Sequence, residues 1–287
     1  MAGVALLLFT ACSDSDSEPE VPGAGNVAVA DTKVGDFLLN DGSFADAAAL
    51  SASSELRDMA VGIVAYKVQP DRKSLYEADF ADKLSDVHGI VLALSNASSS
   101  TEQWNTTDDQ YGVDNTASNR QKAYGIVNGY TITQSVKDNS EYPAFQKAAA
   151  YAPSLTEDYL SGTTGWFLPS YGQWVDVIGA NGLGSAYNNG SEYVEAIDVS
   201  AFYADERGGT DIEGELEVIR NAIKFRLESA GFDETYISAA TLSSYYWTST
   251  ECSADYTWTV GFSDRRGLRV ADFFRPAYRD VRCILAY

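Results

Sequence analysis

The chain ends in four short segments whose residues alternate in polarity, and this pattern limits the fold more than any other feature. Apolar side chains occupy every second position from 256 to 262. Residues 281–287 alternate in the same way, with Arg282 on the opposite face, and the segments 245–250 and 268–274 complete the set. A period of two predicts half-buried antiparallel strands. We therefore expect an antiparallel sheet at the C-terminus.

Two apolar runs in the first third of the chain predict a second group of strands. The runs span 61–68 and 89–94 and are bounded by turn-forming residues. Short, mainly apolar runs of this kind are typical of strands buried on both faces, so a central pair is expected. Helical patterns lie between the two groups. The order of strands, helices and strands predicts an α+β fold.

Three helices are predicted from start and stop signals. Pro143 suits the first turn of one helix, and Pro153 ends it. Ser170 and Gln173 have the spacing of a capping box for the second helix. The third helix is expected to open on another capping-box spacing, Thr210-Asp-Ile-Glu213, and to stop at Gly231.

The N-terminus is predicted to be an export signal. An apolar run from Val4 to Thr10 is too short to span a bilayer and suits a signal peptide. The residues Phe9-Thr-Ala-Cys12 resemble the lipobox of bacterial lipoproteins, which implies a signal peptide over 1–11 and lipidation of Cys12. Because no basic residue precedes the apolar run, the true start is expected upstream of Met1, or this start is misassigned. A frayed apolar tail with an incidental cysteine is the alternative.

Residues 12–30 are expected to form an acidic, flexible tether, and 31–287 a single domain. The acidic stretch directly after Cys12 is similar to the export signal that places many Bacteroidetes lipoproteins on the outer face of the outer membrane. Two acyl chains anchor a protein stably. The expected location is therefore the cell outer membrane, facing outward.

The net charge of −21 excludes nucleic acid as a partner of the bulk surface, because so acidic a protein repels phosphate backbones. It also excludes electrostatic binding to anionic lipids, so the lipid on Cys12 is the expected link to the membrane. The single histidine, His88, excludes multi-histidine zinc sites. We expect no catalytic residue, no metal site and no cofactor.

Three motifs, in this order, carry a resemblance to one family. They are Gly165-Trp-Phe-Leu-Pro-Ser170 with Trp174 four residues later, Tyr246-Trp-Thr-Ser-Thr-Glu251, and Val281-Arg-Cys283. Together they resemble the Legionella collagen-like protein C-terminal domain and the related Fibrobacter major paralogous domain. The resemblance covers 166–287 and implies a C-type-lectin-like fold, related to the formylglycine-generating enzymes, on a bacterial cell surface.

The chain departs from this family in two places. Phe167 stands where the family usually has an arginine, and the stretch 180–240 is longer than expected, which suggests a helical insertion. The enzymatic relatives use a close cysteine pair, whose spacing Cys252 and Cys283 do not reproduce. A non-enzymatic function is therefore expected.

Two groups of side chains are candidates for ligand binding. Trp247 and Trp258 could stack on sugar rings if exposed, although tryptophans at element ends more often fill a core. Arg265, Arg266 and Arg269 belong to a C-terminal segment with six arginines and only three aspartates. Guanidinium groups bind carboxylate and sulfate, so an anionic glycan is one expectation. Pairing with the surplus carboxylates of the protein is the other.

Cys252 and Cys283 are the only cysteines besides Cys12. Outside the cytoplasm such a pair is expected to oxidise where geometry permits, and closing a loop of about 30 residues would contribute roughly 3–4 kcal/mol. Two separate buried thiols are the alternative.

These observations lead to two functional hypotheses. The first is a surface-exposed lipoprotein that recognises a glycan or a protein without catalysis. The second is a structural or tip subunit of a surface appendage or envelope complex, which an open edge strand between 61 and 94 would favour.

Overall fold

The computed structural model describes residues 25–107, 116–153, 160–189, 192–212 and 214–287. The predicted signal peptide, Cys12 and most of the predicted tether lie outside these ranges. The strands are β1 (Phe37–Leu39), β2 (Phe44–Ala45), β3 (Ala60–Lys67), β4 (Gly89–Ala93), β5 (Glu102–Gln103), β6 (Tyr187–Asn189), β7 (Glu192–Val194), β8 (Thr210–Ile212), β9 (Tyr245–Glu251), β10 (Tyr256–Ser263), β11 (Gly267–Phe274), β12 (Tyr278–Arg279) and β13 (Ile284–Ala286).

Helices separate the early and late strands, as the α+β prediction requires. They are α1 (Ala47–Ala52), α2 (Ser54–Met59), α3 (Lys73–Asp79), α4 (Arg120–Tyr124), α5 (Gly129–Val136), α6 (Pro143–Ala149), α7 (Tyr171–Ile178), α8 (Glu215–Ser229) and α9 (Glu234–Ala240), with short 3-10 turns at Val29–Asp31 and Ser200–Tyr203. The α+β class is confirmed. Within the described ranges, none of the helices has the length and apolar character needed to cross a bilayer.

A five-stranded antiparallel sheet lies at the centre, in the order β13-β4-β3-β1-β2. Its residues alternate between two apolar clusters. In β4, Ile90 and Leu92 belong to one cluster, whereas Val91 and Ala93 belong to the other. Both faces are therefore covered, which explains why β3 and β4 have continuous apolar sequences. The predicted central strand pair is confirmed.

The last strand corrects one prediction. Residues 281–287 were expected to be half-buried, with Arg282 on a solvent face, but β13 joins the five-stranded sheet beside β4. Arg282 is buried there, and its guanidinium donates to the carbonyl of Ala93 at 2.9 Å and to the side chain of Asn96 at 3.0 Å. Hydrogen bonds to oxygens satisfy the charged group, so a polar position is compatible with burial.

A four-stranded antiparallel sheet, in the order β8-β11-β10-β9, contains the other C-terminal strands. The apolar residues of β10 face the first apolar cluster, as the alternation predicts. Its threonines are also buried, because Thr257 and Thr259 donate their hydroxyl hydrogens to the carbonyls of Thr250 and Ala271. The polar face of this strand is therefore packed against the protein and is not solvated.

The predicted helix signals have mixed outcomes. The helix after Pro143 and the capping box of α7 are confirmed, and both reciprocal hydrogen bonds of the box between Ser170 and Gln173 are present. The predicted capping box at Thr210 is wrong. Thr210–Ile212 forms β8 instead. Helix α8 begins at Glu215, after Gly214, whose φ of +83° lies in the left-handed region. Pairing of β8 with β11 overrides the local signal.

The predicted stop of α8 at Gly231 is confirmed. The amide of Gly231 donates to the carbonyl of Glu228 at 2.9 Å, and that of Phe232 donates to the carbonyl of Leu227 at 3.1 Å. With a φ of +81° at Gly231, these two bonds form a Schellman motif. The insertion between 180 and 240 is only partly helical, because it also contains the β6–β7 hairpin and β8.

The three sequence motifs lie side by side. The amide of Ser249 donates to the carbonyl of Pro169 at 2.8 Å, which joins the first motif to the second. Phe167 pairs with Ile284, which joins the first motif to the C-terminal strand. Trp166, Trp247 and Cys283 belong to one apolar cluster.

A buried carboxylate, Asp79, caps the N-terminus of α5. Its two oxygens accept hydrogen bonds from the amides of Tyr130 and Thr131, and from the side chain of Gln173. Burial nevertheless raises the pKa of Asp79 to about 6, because desolvation outweighs these bonds.

The raised pKa of Asp79 gives a pH prediction. The native state binds more protons than the unfolded state between about pH 4 and 6, so this group lowers the free energy of unfolding as pH rises through that window. Relative to Asp79→Asn, the wild-type chain should lose about 3 kcal/mol across the window and nothing further above it. Urea unfolding of both proteins at several pH values measures this difference. A constant difference would contradict the prediction.

Candidate functional site

A cavity of about 360 Å³ opens where four segments meet: the loop between β3 and α3, the end of α4, the end of α7, and the segment 196–203. We call it the Tyr203 pocket. Its lining includes Gln69, Asp71, Arg72, Tyr124, Asn181, Asp198 and Tyr203. Small-ligand pockets run from about 300 to 1,000 Å³, so this cavity suits a small ligand.

The floor of the pocket follows from a tight turn after α7. The helix ends at Gly179, and the chain turns back so that Gly182 pairs with Tyr66 of β3. A Cβ atom at Gly182 would lie only 2.3 Å from the carbonyl oxygen of Val177. Only glycine allows this close approach, which fixes the helix end against the sheet.

The segment 196–203 is held at both ends. The amide of Ile197 donates to the carbonyl of Gly184 at 2.9 Å, and the hydroxyl of Tyr171 donates to the carbonyl of Phe202 at 2.5 Å. Between them, the carboxylate of Asp198 accepts from the amide of Ser200 at 2.8 Å. The wall that carries Asp198 and Tyr203 is therefore anchored to the core.

Asp176 of α7 organises a buried polar cluster behind the pocket. One carboxylate oxygen accepts from Nε and Nη2 of Arg72, at 3.0 and 2.9 Å, and from the hydroxyl of Tyr76 at 2.7 Å. The other oxygen accepts from the hydroxyl of Tyr124 at 3.0 Å. This ion pair with its additional hydrogen bonds fixes the guanidinium of Arg72 in one orientation.

Burial controls the protonation of this cluster. It raises the pKa of Asp176, an effect that the charge of Arg72 and the donated hydrogen bonds oppose. Burial also raises the pKa values of Tyr76 and Tyr124 above the usual range, and the negative charge of Asp176 adds to that rise. Both phenols are therefore neutral and act as donors to the carboxylate.

Arg72, Tyr124 and Tyr203 form a stack along one wall. The guanidinium carbon of Arg72 lies 4.0 Å from the ring centre of Tyr124. The rings of Tyr124 and Tyr203 are stacked, with their centres 4.9 Å apart. Tyr203 ends the stack and is 38% exposed, so it presents an aromatic surface at the pocket.

The open part of the pocket is negatively charged. Asp71 and Asp198 both line it and are exposed. Within the described residues, neither has a basic group within 4 Å, whereas Arg72 is neutralised by Asp176. The hydrogen bonds from Ser200 lower the pKa of Asp198, so its carboxylate is ionised at neutral pH.

The predicted aromatic candidates lie elsewhere and are corrected by the structure. Trp247 and Trp258 are wholly buried, and their indole nitrogens donate to the carbonyls of Glu102 and Ala117. No face of either ring is available to a sugar. They fill the core because each indole finds an acceptor while its apolar body packs.

The arginine candidates are scattered. Arg265 and Arg266 are exposed at the turn between β10 and β11, whereas Arg269 forms an ion pair with Asp211 at 3.4 Å. Arg275 pairs with Glu251 in the interior, and Arg279 packs over the ring of Phe273. Most of the arginine-rich segment is therefore occupied by contacts within the protein.

The predicted disulfide is not present. Cys252 and Cys283 are both free, and they belong to different parts of the core. Cys283 lies in the second apolar cluster, beside β13, whereas Cys252 packs against the first. The two thiols therefore pack in different apolar clusters.

The free thiols give a second prediction. Burial raises the pKa of Cys252 to about 11 and raises the pKa of the fully buried Cys283 further. In a Cys12→Ser chain, a thiol reagent should modify half-exposed Cys252 slowly and Cys283 only after denaturation, because the thiolate is the reactive form. Mass spectrometry of a non-reduced digest checks this. A peptide pair linked through Cys252 and Cys283 would show that the disulfide forms.

No sequence pattern indicates the residues of the Tyr203 pocket. They come from four separated segments, and most of them lie in loops without periodicity. The turn formers Pro70 and Asp71 were visible, as was the capped helix that carries Asp176. Their convergence depends on tertiary packing. In the described part of the chain, no group of three or more His, Cys, Asp or Glu side chains is placed to hold a metal ion.

No family model matches the chain, and no curated protein matches it. A solved structure does: a fimbrial protein from Bacteroides ovatus ATCC 8483, with a TM-score of 0.51 and 18% sequence identity. The match covers 89% of this chain and 49% of the fimbrial protein. The chain therefore spans about half the length of that protein and shares its fold over that part.

Proposed function

We propose that this chain is a structural subunit of a bacterial surface appendage, or of an envelope complex that carries one. The likeness to the fimbrial protein over nearly the whole chain is the observation that carries the proposal. The proposed route to the surface is the predicted signal peptide, followed by lipidation of Cys12 and the acidic tether. In this proposal the outer membrane is the anchor, and the function is assembly without catalysis.

Assembly by addition of a strand from another chain does not fit β3 and β4. It would need an open strand edge between 61 and 94. Both β3 and β4 have a neighbour on each side. Contacts with other subunits are therefore proposed for other surfaces.

Fractionation of the bacterium that encodes the chain tests this proposal. Filaments sheared from the cells should contain the chain, and immunogold labelling should place it on them. A Cys12→Ser variant should lose its outer-membrane association while its fold is unchanged. Recovery of the chain in the membrane fraction alone, with filaments of normal number and composition in a deletion strain, would overturn the appendage proposal.

The second candidate function is recognition at the cell surface. The preformed Tyr203 pocket favours it, since small-ligand sites are concave, with a few fixed polar groups. The adjacency of the three motifs supports a C-type-lectin-like domain as the scaffold, although recognition would use a site other than Trp247, Trp258 and the arginines. Appendage subunits that bind ligands would combine both functions.

Adherence measures this second function. Cells that display the wild-type chain should adhere to a mucin-coated surface, and cells that display Tyr203→Ala should adhere less. Tyr193→Ala is the matched control, because Tyr193 is 65% exposed and does not line the pocket. Equal adherence of all three strains would remove the recognition proposal and leave the appendage proposal intact.

A further inference from the structure

We infer that the Tyr203 pocket binds an uncharged sugar unit. This inference rests on the recognition function proposed above and identifies the ligand class and the site. It depends on three properties of the pocket: a fixed aromatic surface, donors and acceptors at the same wall, and a negative charge without a compensating cation.

The aromatic surface comes from Tyr203. Sugar rings present patches of C–H groups that pack on the faces of aromatic rings, and a tyrosine at the end of a stack offers such a face. The stack behind it, Tyr124 and Arg72, is fixed by hydrogen bonds to Asp176. Little ordering of the protein is therefore needed when a ligand binds, which favours affinity for a small molecule.

The polar groups match the hydroxyls of a sugar, each of which donates one hydrogen bond and accepts others. The carboxylates of Asp71 and Asp198 accept, and the carboxamides of Gln69 and Asn181 donate and accept. Arg72 adds a donor. Nε and Nη2 are bonded to Asp176 and the carbonyl of Tyr124, whereas Nη1 makes no hydrogen bond to any residue in the described ranges.

The charge of the pocket decides between classes of sugar. Asp176 neutralises Arg72, so the guanidinium contributes donors without net positive charge. The carboxylates of Asp71 and Asp198 repel carboxylate or sulfate groups, and the net charge of −21 adds to this repulsion. An uncharged hexose or N-acetylhexosamine fits these groups, whereas a sialic acid or a sulfated sugar does not.

Ligand-observed NMR on the full chain tests the inference, with Cys12→Ser to prevent acylation. The probes are the methyl glycosides of glucose, galactose, mannose and N-acetylglucosamine, together with N-acetylneuraminic acid and glucuronic acid as charged, anionic comparisons. At least one neutral glycoside should show saturation transfer. The two charged sugars should bind more weakly than that glycoside.

Variants locate the binding. Tyr203→Ala and Asp198→Ala should each weaken the dissociation constant of the neutral glycoside about tenfold or more, whereas Tyr193→Ala should leave it unchanged. A thermal melt verifies that each variant is folded. If one pocket variant unfolds, the other decides the result.

Three results would overturn the inference: no saturation transfer from any neutral glycoside, tighter binding of a charged sugar, or binding that both folded pocket variants retain. The adherence experiment distinguishes failure of this sugar inference from failure of the recognition function. If Tyr203→Ala abolishes adherence to mucin while no neutral glycoside binds, recognition stands and the sugar inference fails.

Discussion

Glu251→Ala is expected to lower the free energy of unfolding by about 3–5 kcal/mol, because it removes the carboxylate that forms an ion pair with the buried guanidinium of Arg275. Both residues are fully buried, and Nη1 of Arg275 lies 2.9 Å from a carboxylate oxygen of Glu251. The other carboxylate oxygen accepts from the hydroxyl of Thr116 at 3.1 Å. Urea unfolding, followed by circular dichroism, measures the loss.

The double variant Glu251→Leu with Arg275→Met separates the charge effect from packing. Replacement of a whole buried ion pair by apolar residues of similar volume is often neutral or stabilising, so the double variant should recover most of the loss. Glu234→Ala is the matched control. Glu234 pairs with Lys224 at 3.0 Å on the surface, where such pairs contribute about 0–1 kcal/mol. A double variant as unstable as Glu251→Ala would contradict this account.

Trp258→Ala should have a similarly large effect and lower the free energy of unfolding by about 3–5 kcal/mol. The truncation opens a cavity in the first apolar cluster, beside a central strand of the four-stranded sheet. The indole is wholly buried, its ring centre lies 5.2 Å from that of Tyr171, and its nitrogen donates to Ala117 at 2.9 Å. The lost hydrogen bond leaves a carbonyl without its donor and adds to the cost.

Tyr256→Ala provides the control on the same strand and the same face. Tyr256 is 42% exposed, so its truncation removes little buried area and should cost about 1 kcal/mol or less. Sugar binding adds a second measurement. Binding of a neutral glycoside should survive in folded Trp258→Phe, since Trp258 does not line the Tyr203 pocket. A stable Trp258→Ala chain would show that the residue is not part of the core.

Sequence signals for helix starts and stops predicted the structure correctly where contacts between neighbouring residues determine it. The capping box at Ser170 and the stop at Gly231 each depend on hydrogen bonds within a few residues, and both were predicted. The apolar runs of β3 and β4 were also sufficient to predict these two strands, because a strand that is buried on both faces is apolar at nearly every position.

Predictions failed where partners distant in sequence decide the structure. Thr210 resembles a helix cap, but its segment pairs with β11, almost 60 residues later. The alternation at 281–287 resembles a strand with one face in solvent. Arg282 is buried instead, because its guanidinium donates hydrogen bonds to Asn96 and Ala93.

The candidate site shows the same limit. Trp247 and Trp258 have the residue type of a sugar platform, and sequence alone does not show whether a ring is exposed. Tyr203 is one of 18 tyrosines, and only packing of four separate segments sets it apart. No pattern within any one of these segments indicates the pocket.

The position of β13 has a consequence for how the chain reaches its native state. The sheet that begins with β1 is completed by the last residues of the chain, and the amide of His88 donates to the carbonyl of Tyr287 itself. Contacts of such long sequence separation form slowly, and this one requires the whole stretch from His88 to Tyr287. The central sheet is therefore incomplete until residues 284–286 have been synthesised. Until then β4 lacks its neighbour on one side, and its edge is open.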